Sequence, residues 1–178
     1  MIDEAALRII FASLRTDEGT PQKNFMAKRI YEKPSLTADC VVLRREAGTG
    51  RLHVLLIRRA KEPFAGRWAL PGGFVNKDEP LGEAARRELR EETGLRVTKL
   101  RQVGAFGDPG RDPRGWTVSV AYLAEVSGTK HKAEAADDAK AVNWFPVDAL
   151  PRLAFDHGKI LKQALAAHST DSTMTAGR

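Results

Sequence analysis

The chain has 178 residues, with 29 Lys+Arg against 23 Asp+Glu, 42% apolar residues, 7% aromatics and one cysteine, which is the profile of one soluble domain. A lone Cys40 excludes a disulfide scaffold, and no Cys/His cluster has zinc-ligand spacing; no apolar run approaches the roughly 18 residues of a membrane span, and the acidic start Met1-Ile2-Asp3-Glu4 is unlike a signal peptide, so a cytoplasmic protein without a membrane partner is expected. The net charge of +6 suits an anionic partner, but Lys and Arg are spread along the chain rather than gathered into one basic run, so charge alone separates neither nucleotide from nucleic acid nor binding from solubility.

Ala6, Ile9, Ile10 and Leu14 recur at helical spacing behind the capping Asp3, which predicts a short helix over Asp3 to Leu14. Thr16 to Pro34 is polar and basic and reads as a connecting arm. Thr37 to Arg44 and Leu52 to Arg58 are aliphatic and β-branched, with Gly48 and Gly50 between them, and predict a hairpin. After a loop punctuated by Gly and Pro, Pro80 to Thr93 has strong helix formers, proline at the first turn and Gly94 just past the end.

Val97 to Phe106 and Thr117 to Val126 predict strands separated by the turn-rich GDPGRDPRG of Gly107 to Gly115, and Ala141 to Phe145 predicts a short strand. Phe155 to Ala167 predicts a closing helix, and His168 to Arg178 a frayed, disordered tail. Strands joined by hairpins and interleaved with helices imply an α/β fold with a mixed sheet packed between helices. The glycine fingerprint of dinucleotide folds, the Walker-type phosphate loop and the serine elbow are all missing.

On the helix ending at Thr93, Glu88, Glu91 and Glu92 fall within an arc of roughly 100°, opposite Glu83, Arg86 and Arg90. Glu88 and Glu92, at i,i+4, repel each other by a few tenths of a kcal/mol and flank the apolar stripe of Ala85 and Leu89. A cation would neutralise them, and magnesium favours such carboxylates together with water and substrate phosphates. A solvated helix stitched by Glu83–Arg87 and Arg87–Glu91 is the alternative that needs no metal. The residues upstream decide against it: Pro71-Gly72-Gly73 allows close backbone approach to a ligand, and Glu79 stands at the helix entrance.

From Gly73 the run GFVNKDEPLGEAARRELREETGL has glycine, five residues, Glu79, seven residues, Arg87-Glu88-Leu89, one residue, Glu91-Glu92, one residue, and Gly94-Leu95. This resembles a complete Nudix box, with nine specified positions filled over 23 residues. The resemblance implies a Nudix-type α/β/α sandwich that hydrolyses a nucleoside diphosphate linked to another moiety, with Mg2+ or Mn2+ as cofactor. It further implies Glu88, Glu91 and Glu92 as metal ligands, the Gly72 carbonyl as another, and Arg87 and Glu79 as braces of the loop and helix. Cations bridging the diphosphate would lower its repulsion of a nucleophile and activate water. A carboxylate must then take the proton, either on the helix or in HKAEAADDAKAVNWF, where Glu134, Asp137 and above all Asp138 are candidates.

Beyond the box, ADCVVLR, LLIRRAKEPFAGRWALPGGFV, FGDPGRDPRGWTVSVAYLAEV, NWFPVDALP and FDHGKIL resemble the ADP-ribose pyrophosphatase branch of the family. In that branch the substrate is split to AMP and ribose 5-phosphate. The stretch RDPRG offers Arg111 and Arg114 as donors to phosphate or ribose, and Asp112 as an acceptor or as an anchor for an arginine. Arg58, with Arg59, ends a strand where it can reach phosphate, and Phe74 and Trp116 can stack on adenine. Trp68, Trp144 and Phe145 read as core, the four histidines form no pattern, and Asn76 stands where many relatives carry glutamate.

Two rival functions share these residues. A sanitising hydrolase of oxidised nucleoside triphosphates would use the box without needing RDPRG. A non-catalytic ADP-ribose-sensing regulator would pair the domain with a DNA-binding module, against which the retained box glutamates and the short stretch after Leu150 argue. The expected partner is therefore a small nucleotide and no nucleic acid. Residues 1–33 are expected to extend a homodimer interface, with the Nudix domain over 34–167.

Overall fold

Residues 32–126 and 139–175 are described by the computed structural model. The expected helix at residues 3–14, most of the arm after it, and the acidic loop carrying Glu134, Asp137 and Asp138 lie outside the described residues.

Strand β1 (Ser35–Arg45) organises a seven-stranded mixed sheet because both of its edges are paired. One edge runs parallel to β6 (Thr117–Val126), from Ser35 opposite Thr117 to Arg44 opposite Val126. The other edge is shared between two partners. Leu43 to Arg45 pair with β2 (Leu52–Arg59) in the expected antiparallel hairpin, closed through Gly48 and Gly50 at positive φ, while Thr37 to Asp39 pair with β4 (Gly72–Phe74). Strands β3 (Trp68–Ala69) and β7 (Ala139–Pro146) both pair with β2, and β5 (Arg101–Phe106) pairs with β6.

Alternation along β1 sends its side chains to two separate cores. Ala38, Cys40 and Val42 meet Ala84, Ala85 and Leu89 of helix α1 (Leu81–Thr93) on one face. Val41 and Leu43 meet Ile160, Leu161 and Ala164 of helix α2 (His157–Thr175) on the other. The result is the α/β/α sandwich expected. Helix α1 ends where Gly94 takes φ 70° and donates its N–H to the Arg90 carbonyl.

Four elements differ from the sequence pattern. β3 and β4 lie in a segment that reads as loop, since two or three residues carry no period of their own and are strands only because β1 and β2 pair with them. β5 starts at Arg101 rather than Val97, because Val97 and Leu100 pack against the α1 core instead. Helix α2 starts at His157, after Phe155 takes φ 49°, and continues past Ala167 to Thr175. Among the described residues no helix is long and apolar enough to cross a membrane.

Candidate active site

Placing Gly72 and Gly73 in a strand beside β1 brings the backbone against acidic side chains. A Cβ on Gly72, whose φ is 156°, would strike the Ala38 carbonyl and the Asp39 carboxylate, and one on Gly73 would lie 2.5 Å from Glu88 Oε2. The Gly72 N–H donates to Glu92 Oε2 at 2.9 Å. A side chain at Gly72 is therefore blocked by backbone and by Asp39, and one at Gly73 would displace the end of Glu88.

Arg87 ties this arrangement together. Its Nε and Nη2 donate to the two oxygens of Glu79 at 2.7 and 2.9 Å, Nη2 also donates to the Phe74 carbonyl at 3.0 Å, and Nη1 donates to Glu88 at 2.6 Å and Glu91 at 3.1 Å. Glu79 accepts in turn from the Asn76 N–H at 2.9 Å. The guanidinium holds the Glu79 carboxyl down at about 2. A planar five-donor fork suits such a junction, where a lysine would reach one partner at a time.

The three box glutamates do not sit alike. Glu88 and Glu92 line a cavity of about 390 Å³ with Gly72, Gly73, Arg59 and Arg114, whereas Glu91 lies toward Arg87 and Arg90, outside that lining. Burial pushes the Glu92 carboxyl up to about 8, reinforced by the charges of Glu88 and Asp39 against the Gly72 hydrogen bond. Burial also raises Glu88, against the pull of Arg87. Among the described residues no three His, Cys, Asp or Glu side chains converge into a ready metal cage.

A smaller cavity of about 70 Å³ shares the walls Arg59, Gly72, Gly73, Phe74 and Arg114 with the first, and adds Asp39, Arg111, Asp112, Phe155 and His157. Within RDPRG the charges are mostly paired. Arg111 forks onto Asp156 at 2.7 and 3.0 Å, with both side chains at most 10% exposed. Asp112 anchors Arg114 through that residue's N–H and its guanidinium; burial pushes the Asp112 carboxyl up, yet these bonds prevail and hold it low. Arg114 extends over the rings of Phe74, at 4.9 Å, and Phe155, at 5.4 Å. Phe74 is 47% exposed at the mouth.

Of the arginine pair, Arg58 donates to the Gly66 carbonyl on the exposed side and lines neither cavity, while Arg59 lines both and stacks over Phe155 at 4.8 Å. Trp116 is 55% exposed against Pro109 and Pro113. Sequence reasoning passed over Asp39, Phe155, Asp156 and His157. For Asp39 a signal existed, an acid inside an aliphatic strand, and its carboxylate is buried against the Ser119 hydroxyl. Phe155 holds a left-handed φ that costs a bulky residue about 1–3 kcal/mol, and it places its ring on His157 at 5.2 Å.

Known proteins share this architecture. The NUDIX domain model matches residues 33–164. The chain is 42% identical over 135 residues to the ADP-ribose pyrophosphatase of Methanocaldococcus jannaschii, covering 75% of each chain. It is 35% identical to the ADPR responsive transcriptional repressor NtrR of Acinetobacter baylyi, covering 92% of this chain and 67% of that one. The solved NUDIX domain of Shewanella oneidensis NrtR, complexed with ADP ribose, superposes with a TM-score of 0.70 at 33% identity over 81% of this chain and 94% of its own. By its box, its fold and these relatives, the chain belongs to the Nudix hydrolase family.

Proposed function

We propose that this enzyme hydrolyses the diphosphate of ADP-ribose to AMP and ribose 5-phosphate, with Mg2+ or Mn2+ held by Glu88 and Glu92. The observation that carries the reading is the shared cleft, in which these two carboxylates face the double-glycine wall and Arg59 and Arg114 line the same space. Similarity to an ADP-ribose pyrophosphatase at 42% identity supports the choice of substrate.

Nudix hydrolases generally use divalent metal ions, and the donors here fit one. Two carboxylates raised by burial, hard oxygen ligands and a wall that a single Cβ would fill suit magnesium, which typically keeps waters and shares its shell with substrate phosphates. The Gly72 carbonyl adds a ligand in this reading, and Glu91 becomes the third carboxylate on leaving Arg87. The bound ion supplies charge neutralisation of the diphosphate and activation of water.

The chain's own residues do the rest. Arg87 and Glu79 keep helix and loop in register, so that Glu88 and Glu92 stay at a fixed spacing from the glycine wall. Arg59 and Arg114 bind diphosphate oxygens, with Arg111 and Asp112 holding the RDPRG loop in place around them. Phe74 offers its exposed ring to adenine. Asp138, which directly precedes β7 in the sequence, takes the proton of the attacking water, so an Asp138→Asn change lowers kcat and leaves ADP-ribose affinity intact.

The test incubates the purified protein with magnesium and, separately, ADP-ribose, NADH, a diadenosine polyphosphate and an oxidised deoxynucleoside triphosphate. AMP and ribose 5-phosphate should appear fastest from ADP-ribose and vanish with Glu92→Gln. Preference for the triphosphate would replace this reading with nucleotide sanitation. Tight ADP-ribose binding without turnover would favour the sensor reading, which the similarity to the NtrR repressor supports.

We place the protein in the cytoplasm, in keeping with its buried free thiol, and as a homodimer through residues 1–33. Sedimentation of the full chain beside one lacking those residues checks the dimer: it should dissociate on truncation.

A further inference from the structure

We infer that His157 binds substrate through a neutral imidazole whose Nε2–H donates into the smaller cavity, to an oxygen of the ribosyl-phosphate half. The inference deepens the ADP-ribose reading and rests on it.

The tautomer follows from one hydrogen bond. The backbone N–H of Leu70 donates to His157 Nδ1 at 2.9 Å. A ring nitrogen that accepts carries no hydrogen, so the neutral ring bears its hydrogen on Nε2. An imidazolium would turn a second N–H against that of Leu70. Burial acts in the same direction and lowers the basicity of the ring.

The ring is also fixed in plane. Phe155 stacks on it at 5.2 Å with 29° between the rings, and the Arg59 guanidinium lies 4.8 Å from the centre of the Phe155 ring. His157 itself is 5% exposed.

Its remaining nitrogen has no acceptor among the described residues. Among the described residues the His157 ring makes no hydrogen bond other than that with Leu70, and the one fully enclosed side-chain nitrogen or oxygen without a partner is Trp144 Nε1. His157 Nε2 is therefore open to the cavity that His157 lines with Asp39, Arg59, Arg111 and Arg114. A buried donor left without an acceptor costs free energy, which a ligand oxygen recovers.

The size and walls of the cavity select the oxygen. At about 70 Å³ beside a space of about 390 Å³, it is the narrower end of the cleft. Its walls combine a carboxylate acceptor, Asp39, with several donors, which matches a sugar phosphate better than an aromatic base. A neutral donor there recognises hydroxyl or phosphoryl oxygen without adding a further cation to Arg59 and Arg114.

Two substitutions separate the two ring nitrogens. In His157→Asn an amide oxygen can still accept from Leu70, and the Nε2 donor is lost. In His157→Gln the longer amide reaches the Nε2 position and restores a donor. Calorimetric titration without divalent cation, using ADP-ribose, ribose 5-phosphate and AMP as separate probes, reads the effect. His157→Asn should weaken ADP-ribose and ribose 5-phosphate about tenfold, the size of one hydrogen bond, leave AMP unchanged and raise KM more than it lowers kcat. His157→Gln should recover most of the loss.

Nitrogen-15 NMR of the unsubstituted protein supplies a readout that does not depend on how the variants fold. It should show the Nε2–H tautomer, with that resonance moving on addition of ADP-ribose. An Nδ1–H tautomer, an unmoved resonance at saturation, or equal weakening of AMP would overturn the assignment. If wild type binds and hydrolyses ADP-ribose and both variants match it, the His157 inference alone fails; if wild type does neither, the substrate reading fails and this inference with it.

Discussion

Gly73 lies so close beneath Glu88 that a methyl group on it would sit 2.5 Å from the carboxylate, whereas a methyl on Gly72 would meet backbone, with the Asp39 Cα at 2.8 Å. The two neighbours should therefore fail differently when changed to alanine. In Gly73→Ala the obstacle is the end of a side chain that can swing, so the fold survives and Glu88 is displaced. Misplacing a metal-holding carboxylate by about 1 Å can cost on the order of 100-fold in rate. In Gly72→Ala the obstacle cannot move, and φ is 156°, so about 1–3 kcal/mol of stability is lost. Thermal melts beside kcat for both variants check this; equal melting points would remove the distinction.

Glu92 makes stability depend on pH in an unusual direction. Burial lifts its carboxyl from 4.5 to about 8, so between those values the folded chain holds more protons than the unfolded one, and stability falls as pH rises. Glu79, held down at about 2 by Arg87, acts oppositely, and its contribution is lost only as pH falls from 4.5 toward 2. Without divalent cations the melting temperature should decline from pH 5 to pH 8. Glu92→Gln should flatten that decline. Magnesium at pH 8 should raise the melting temperature by binding the folded state alone. A Glu92→Gln profile that declines as steeply as the wild-type one would contradict the burial argument, and His157, whose basicity burial lowers, acts in the opposite sense below its unfolded value.

The Arg111–Asp156 pair is the strongest polar link between the β5–β6 loop and the start of α2. At 5% and 10% side-chain exposure the pair is dry, so Asp156→Ala leaves a buried guanidinium uncompensated and should cost about 3–5 kcal/mol. The double change Arg111→Met with Asp156→Leu should recover much of that stability while still loosening substrate binding. Chemical denaturation of the single and double variants reads it. A single variant within about 0.5 kcal/mol of wild type would show the pair to be ornamental.

This pair also marks where sequence reading stops. The acidic helix was legible because its information is local: apolar spacing at Ala85 and Leu89, Gly94 at the end, and Glu79 eight residues before Arg87. The two-sided core was legible too, since β1 alternates between its faces. Arg111 finds Asp156 from 45 residues away, and no local pattern reports a partner at that distance. From sequence, RDPRG reads as arginine donors to phosphate or ribose with Asp112 as acceptor or anchor; the Asp112–Arg114 link lies within the loop, whereas the Asp156 partner of Arg111 does not. His157 was invisible for the same reason: its orientation is set by the backbone of Leu70, 87 residues earlier. β4 is a strand only through β1, yet it is the element that carries the glycine wall to the glutamates.

Arg87 allows the sharpest separation of charge from shape. It serves Glu79, Glu88, Glu91 and the Phe74 carbonyl at once, through donors between 2.6 and 3.1 Å. Arg87→Lys keeps the positive charge and cannot span four acceptors. If charge alone matters, lysine should behave as wild type; if the fork matters, lysine should lose about 1–3 kcal/mol of stability, the worth of the charged hydrogen bonds forfeited, and much of the activity. Glu79→Gln removes one end of the brace and leaves Glu88 and Glu91 bonded, so it should be milder in both respects. The order wild type, Glu79→Gln, Arg87→Lys, Arg87→Ala in melting temperature and in kcat follows from the geometry. A lysine variant that matches wild type would reduce Arg87 to a point charge and leave the glutamate spacing to be set by the helix alone.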